Sequence, residues 1–171
     1  PYKLNNAIDI EKVKKLLTKY DVILPKKRNY YIETNYSHYI HAHHQEPLDK
    51  TREIIQASYP QYLVKYDEVM KRSKAHMFNM FIMKWEAFES YCNFMFGVLG
   101  RLENQIDLTG YSVQEKRVYG YISELLMDVW LETNAFNYTE LKWGQLGGKN
   151  NVKKAISLVE RKIGITTKTH F

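Results

Sequence analysis

The spacing of apolar side chains divides this chain into helical and extended stretches. Ile10, Val13, Leu16 and Leu17 recur at helical intervals behind Asp9, a residue with N-cap chemistry, and predict a helix ending near Tyr20. The run DVILP, residues 21–25, is short, apolar and stopped by a proline, so it reads as a buried parallel strand. Residues 26–48 follow no clean period and mix Lys, Arg, Tyr and His. A loop that long inside a compact domain is usually functional or disordered, and the dense Tyr and His content favours an ordered, functional one. A helix is expected from Leu48 to Ser58, with Asp49 as N-cap and Ile54 and Ile55 inward. Pro60 opens another, with Tyr62, Leu63, Tyr66, Val69 and Met70 on one side. HMFNMFIMK, residues 76–84, is a nearly continuous apolar run with the length of a central strand. Residues 85–106 predict a long helix with an aromatic inner face, and residues 112–134 a second one opened by the capping box SVQE. A weak strand at 138–143, a loop at 144–151 and a basic amphipathic helix at 152–163 complete the series. The class is α/β, rich in helix, with too few strands for a complete sheet.

Composition narrows the picture. A chain of 171 residues fits one ordinary domain, and 44% hydrophobic against 26% charged residues make it globular. Fourteen tyrosines supply apolar area with a polar tip, suited either to lining a groove or to replacing Phe in a half-buried core. One cysteine, Cys92 in an apolar stretch, excludes a disulfide framework and a cysteine-based metal site and reads as core. The formal net charge of +6 suits anionic partners such as nucleotide phosphates or acidic headgroups. That charge is dispersed and no nucleic-acid motif accompanies it, so nucleic acid is not an expected partner. No apolar run approaches the ~20 residues of a membrane span. The first residues hold neither a signal-peptide core nor an initiator Met, so the chain reads as cytoplasmic and as a piece of a longer protein.

Four constellations carry candidate chemistry. His38, His41, His43 and His44 lie close together in HYIHAHH, and imidazole serves as metal ligand, proton carrier or substrate contact. Their spacing fits no closed zinc template, so a solvated aromatic loop and a substrate contact stay open beside a metal role. Lys26, Lys27 and Arg28 follow the predicted strand at 21–25, where ligands of open α/β sheets sit and where cations meet phosphate or an acidic sugar. Asn79 is a lone amide in an apolar run; buried, it needs hydrogen bonds, and a sugar hydroxyl can use both its donor and its acceptor. Arg117 and Glu124, seven residues apart, are expected on one inward-facing helix surface with Tyr121. There is no Gly-rich phosphate loop, nucleophile elbow or Asp-x-Asp triplet.

YDVILPKKRNYYIET, the SHYIHAHH loop, LDKTREII, YPQYL, HMFNMFIMK and the R-x-x-G-x-x-x-E of RVYGYISELL, in that order, resemble the C-terminal half of a domain of capsular and exopolysaccharide glycosyltransferases. The resemblance covers roughly residues 8–134, and HMFNMFIMKWEAF also looks similar to the Phe-Asn strand and Trp-containing helix of glycogenin-like transferases. It implies a partial GT-A-like fold over residues 1–143, followed by a loop and tail helix at 144–171. It further implies hexosyl transfer from a nucleotide sugar to a growing glycan or lipid-linked glycan. An N-terminal half would supply most of the nucleotide site and, where the reaction needs one, a divalent metal; this chain by itself is expected to be inactive. His38, His43, Asn79, Arg117 and Glu124 match the motif positions. Glu124 and His43 are the expected catalytic pair. Lys26, Arg28, His38, His41, Asn79 and Arg117 are the expected substrate contacts, with no metal ligand among them. A competing reading is a non-catalytic module for an anionic glycan or an acidic membrane surface, which the basic tail helix would touch peripherally at the inner face of the cell membrane.

Overall fold

The computed structural model describes residues 8–144. Helix α1, Ile10–Leu17, is capped by Asp9, whose carboxylate accepts the Lys12 amide at 2.7 Å. Strand β1, Val22–Pro25, follows, and all four of its residues are buried. It is the central strand of a three-stranded sheet. It runs antiparallel to β4, Ile82–Met83, pairing Val22 with Met83, and parallel to β5, Tyr138–Leu141, pairing Val22 with Tyr138. The expected purely parallel strand is therefore mixed. Arg28–Asn29, strand β2, pairs antiparallel with β3, Lys74–Ala75, as a separate two-stranded ribbon. Around these small sheets stand α2 (Asn35–Ala42), α3 (Glu46–Ser58), α4 (Leu63–Lys71), α5 (Trp85–Glu103) and α6 (Val118–Asn134). The architecture is mixed α/β and rich in helix, as expected.

Four local expectations are corrected. Residues 26–48 are not a loop: they hold β2, all of α2 and the start of α3. Helix α2 is set by a capping box in which Thr34 Oγ1 accepts the Ser37 amide at 3.0 Å and Ser37 Oγ accepts the Thr34 amide at 2.9 Å. Its buried face consists of Asn35, Tyr39 and Ala42 with no large aliphatic residue, so no apolar period announced it. Asn35 is tied down by donating to the Val69 and Lys74 carbonyls at 2.7 and 3.2 Å. Helix α3 begins at Glu46, and Asp49 lies inside its first turn, accepting from the Tyr36 hydroxyl, instead of capping it. The SVQE capping box forms, with Glu115 and Ser112 bonding each other's backbone amides, but it closes a 3-10 turn over Glu115–Arg117, and α6 starts only at Val118. HMFNMFIMK is not a central strand either. It turns at Phe78 and Asn79, both left-handed, with φ of 81° and 47°, and only Ile82–Met83 is extended.

The core lies between α3, α4, α5 and α6. Trp130, Tyr91, Leu102, Ile122 and Leu126 are fully buried, each such side chain contributing roughly 1.5–3 kcal/mol of transfer free energy. The Trp130 indole donates to Ser90 Oγ at 3.1 Å, and Tyr91 donates to the Ser123 carbonyl at 3.3 Å, so the two largest core side chains are also satisfied. Gly97 sits within α5 where a Cβ would lie 2.1 Å from the Tyr59 hydroxyl. Helix α6 is buried from Leu125 to Leu131 without a polar stripe, Asp128 included, and so forms the spine of the domain. The proposed tail helix at 152–163 lies outside the described residues.

Candidate functional site

The site gathers where β2, the β2–α2 connection, α2, the Phe78–Asn79 turn and the start of α6 meet. Glu33 is its buried anion, 4% exposed. One carboxylate oxygen meets His38 Nδ1 and the other meets His41 Nδ1, each at 2.7 Å. An ionised carboxylate only accepts, so each imidazole donates its Nδ1–H and carries Nε2 on the far side of its ring. Burial alone would raise the Glu33 pKa, but the two histidine hydrogen bonds outweigh it and hold the carboxyl below the usual glutamate value. Helical spacing of three residues makes this possible, because it sets His38 and His41 on one face of α2.

Tyr30 stacks on His38 with ring centroids 3.7 Å apart, and the Arg28 guanidinium lies over the Tyr30 ring at 5.1 Å. Burial pushes the Tyr30 hydroxyl up to about 12, helped by the charges of Glu124 and Glu33 and opposed by Arg28. His43, at the C-cap of α2, stacks on Tyr121 of α6 at 4.1 Å, and Arg117 covers Tyr121 at 5.4 Å. Glu124, half-buried one turn further along α6, has its pKa raised by burial; the Phe78 backbone amide, Arg28 and Arg117 act in the opposite direction. A half-buried carboxylate whose pKa is raised by burial is equipped to accept a proton from a bound hydroxyl.

The turn that carries Phe78 and Asn79 is itself fixed to α6. Asn79 Nδ2 donates to the Gly120 carbonyl at 3.1 Å, and Asn79 Oδ1 accepts from Ser123 Oγ at 3.1 Å. Among the described residues four non-glycine residues have positive φ, and three of them, Tyr31, Phe78 and Asn79, lie in the two loops of this site. Left-handed backbone costs a non-glycine residue of order 1 kcal/mol, so strain is concentrated here.

The sequence-derived candidates divide accordingly. Arg28, His38, His41, His43, Asn79, Arg117 and Glu124 fall around one locus. Asn79 is exposed on a turn, not a buried amide on a strand, because its left-handed backbone turns it out while α6 engages its side chain. Arg117 does not face inward as expected: it is exposed and belongs to the 3-10 turn before α6, while Glu124 is half-buried, so the shared helix face dissolves. Lys26 is exposed at the end of β1, where its amide bonds the Leu141 carbonyl at 2.8 Å and its carbonyl accepts the Trp143 indole at 3.0 Å.

Sequence reasoning missed Glu33, Tyr30 and a second, buried network. There His76 Nδ1 meets Asp128 Oδ1 at 2.5 Å, the His76 amide donates to Asp128 Oδ2 at 2.9 Å, and His76 Nε2 meets Glu140 Oε1 at 3.0 Å. Lys27 Nζ reaches Asp128 at 3.3 Å, and Arg72 forks onto Glu132 one turn beyond. The available signals were Lys27, already a candidate beside Arg28, and Asp128, an acid inside the apolar run LLMDVWL. Among the described residues no group of three or more His, Cys, Asp or Glu side chains could hold a metal ion. The nearest donor set, Glu33 with His38 and His41, is bonded to itself and does not fit one.

Among curated proteins none matches this chain. The apo structure of the bifunctional glycosyltransferase WbbM is similar to it, with a TM-score of 0.73 and 28% identity over 77% of this chain. The match covers 25% of the WbbM chain, so this chain corresponds to about a quarter of that protein's length. No helix among the described residues is long and apolar enough to cross a membrane. A family model described as "Domain of unknown function (DUF4422)" matches residues 1–135, and the chain belongs to that family.

Proposed function

We propose that this chain is part of a glycosyltransferase that moves a hexosyl group from a nucleotide sugar to a glycan, and that Glu124 is its proton acceptor. The observation that carries the reading is the setting of Glu124: half-buried, raised in pKa by burial, with the charges of Arg28 and Arg117 and the Phe78 amide acting on it, in a fold similar to a glycosyltransferase. In the transfer, the acceptor hydroxyl attacks the anomeric carbon, its proton passes to the Glu124 carboxylate, and the bond to the diphosphate breaks with its electron pair on the leaving oxygen. Arg28 and Arg117 supply the positive surroundings that stabilise that leaving group. His43, stacked on Tyr121, is the second candidate base. Acceptors of capsular or exopolysaccharide type, free or lipid-linked, fit the motif resemblance. A location at the inner face of the cell membrane, with peripheral contact through the basic tail, belongs to the same reading. A divalent metal, where the reaction uses one, takes its ligands from elsewhere in the longer protein.

The test is a screen of nucleotide sugars for thermal stabilisation of the full-length protein, since a ligand bound only by the native state raises its apparent stability. A hit should be followed by turnover that Glu124→Gln abolishes with donor affinity retained. His43→Gln distinguishes the two bases. Absence of stabilisation by every donor, together with saturable binding of an acidic glycan or vesicle, would replace this reading with that of a binding module.

A further inference from the structure

Asp128 is 1% exposed in the middle of the apolar spine of α6, one turn beyond Glu124. A Leu or Met in its place would match its neighbours Leu125, Met127, Val129 and Leu131 and would spare the domain a buried charge. Replacing a buried ionic group by well-packed apolar residues is often neutral or stabilising, so bulk stability does not explain the acid. Its contacts do. Its Oδ2 accepts the His76 backbone amide, and its Oδ1 meets both the His76 Nδ1 and the Lys27 ammonium. Lys27 immediately precedes Arg28, and His76 precedes the left-handed Phe78 and Asn79 by two and three residues. Glu140 of β5 holds His76 from its other ring nitrogen, and Tyr138 of β5 stands edge-on to it at 5.5 Å, so His76 is gripped from both sides.

We propose that Asp128 is a positioning residue: by holding Lys27 and His76 together beneath the site, it sets Arg28 and the Phe78 amide around the Glu124 carboxylate. The inference rests on Glu124 being the working carboxylate, but not on what the site transfers. Two segments that are far apart in sequence, and that each contribute a group to Glu124, are bound to one buried carboxylate on the helix that bears Glu124. The other anchors of these segments are slight: Arg28 pairs with Ala75 in a ribbon of two residues per strand, and the strained Phe78–Asn79 turn is held to α6 through the Asn79 side chain, so Asp128 is the buried contact that ties both together.

The titration of Glu124, followed by carbon NMR of glutamate-labelled full-length protein and assigned with Glu124→Gln, tests this without reference to activity. The charged and titratable groups that bear on Glu124 are Arg28 from β2, Arg117 from the turn before α6, Tyr30 from the β2–α2 connection and Tyr91 from α5, with the Phe78 amide from the 76–84 segment. In Asp128→Asn, Arg28 and the Phe78 amide lose the buried anchor they share, and the Glu124 midpoint should rise by roughly 0.5–1 pH unit as these stabilising partners shift. Simple removal of a negative charge one turn away has the opposite sign and would lower it. His76→Gln, which keeps Asp128, should raise the midpoint too, and it decides the matter if Asp128→Asn does not fold. Tyr66→Phe, which removes the hydroxyl's bond to the Leu48 carbonyl far from the site, controls for general loosening and should leave the midpoint in place. A midpoint unchanged or lowered in the folded variants overturns the proposal. A raised midpoint in a protein that no nucleotide sugar stabilises keeps Asp128 as the positioning residue and removes the glycosyltransferase reading instead.

Discussion

Replacing Glu33 tests whether the histidine pair is held as the structure shows. Glu33→Gln keeps the volume but can accept only through one oxygen, so at least one of the two 2.7 Å bonds to His38 and His41 is lost and the other becomes neutral. A hydrogen bond to a charged group contributes about 1.5–3 kcal/mol, and breaking a buried pair costs about 3–5 kcal/mol. His41 is partly open to solvent, its side chain 38% exposed, which reduces its share, so the loss at pH 7 should be about 2–4 kcal/mol. For a chain of this size each kcal/mol moves Tm by roughly 2–4 °C, giving a fall of roughly 4–16 °C in a thermal melt followed by circular dichroism. A cycle with His38→Gln and His41→Gln should return coupling energies of about 1 kcal/mol or more for each pair. The folded pKa of Glu33 lies below the ordinary glutamate value of 4.5, so its contribution is complete above that value and is lost as pH falls through the folded pKa. The gap between wild type and Glu33→Gln should accordingly persist from pH 7 to pH 5 and close below about pH 4.5. A variant within about 0.5 kcal/mol of wild type at pH 7, or coupling to neither histidine, would refute the bridging geometry.

Glu124 has the opposite sign. Its folded pKa is raised, so ionisation opposes folding, and Glu124→Gln should stabilise the protein at pH 7 by an increment that fades as pH falls through the folded pKa and is gone below the unfolded one; a flat difference across that range in urea titrations would count against the buried setting. Trp130→Ala should cost about 3–5 kcal/mol, whereas Trp85→Ala, at a position 71% exposed, should cost under about 0.5 kcal/mol, and comparable losses at both would contradict the placement of the core. Ala135 caps α6 in the left-handed region at φ 53° and is exposed, so Ala135→Gly should raise stability by about 1 kcal/mol; a lower midpoint in denaturant would show that the cap is not left-handed.

Regular apolar spacing alone placed α1, α4, α5 and β1, because in those elements burial follows the period of the backbone. Asp9 before Ile10, the buried VILP run and the aromatic face of Trp85–Glu103 are local signals, and tertiary contact only confirms them. The residue order likewise brought the histidines, Arg28, Asn79, Arg117 and Glu124 under suspicion, since each has chemistry that its neighbours in sequence do not use. What the sequence could not settle is where opposing physical demands were resolved by distant partners. Helix α2 hides its period because its buried face is Asn35, Tyr39 and Ala42, and the Asn is acceptable only because Val69 and Lys74 receive its amide. The run at 76–84 has a strand's composition, yet it turns where the Asp128 carboxylate captures His76 and where Gly120 and Ser123 hold Asn79. Glu33 and Asp128 look like ordinary acids in sequence and become the two buried anions of the site only when the fold supplies their histidines and Lys27. Periodicity reports which face a residue turns to the core; which charge it meets there depends on contacts 5 to 101 residues away, and only the packed structure brings those together.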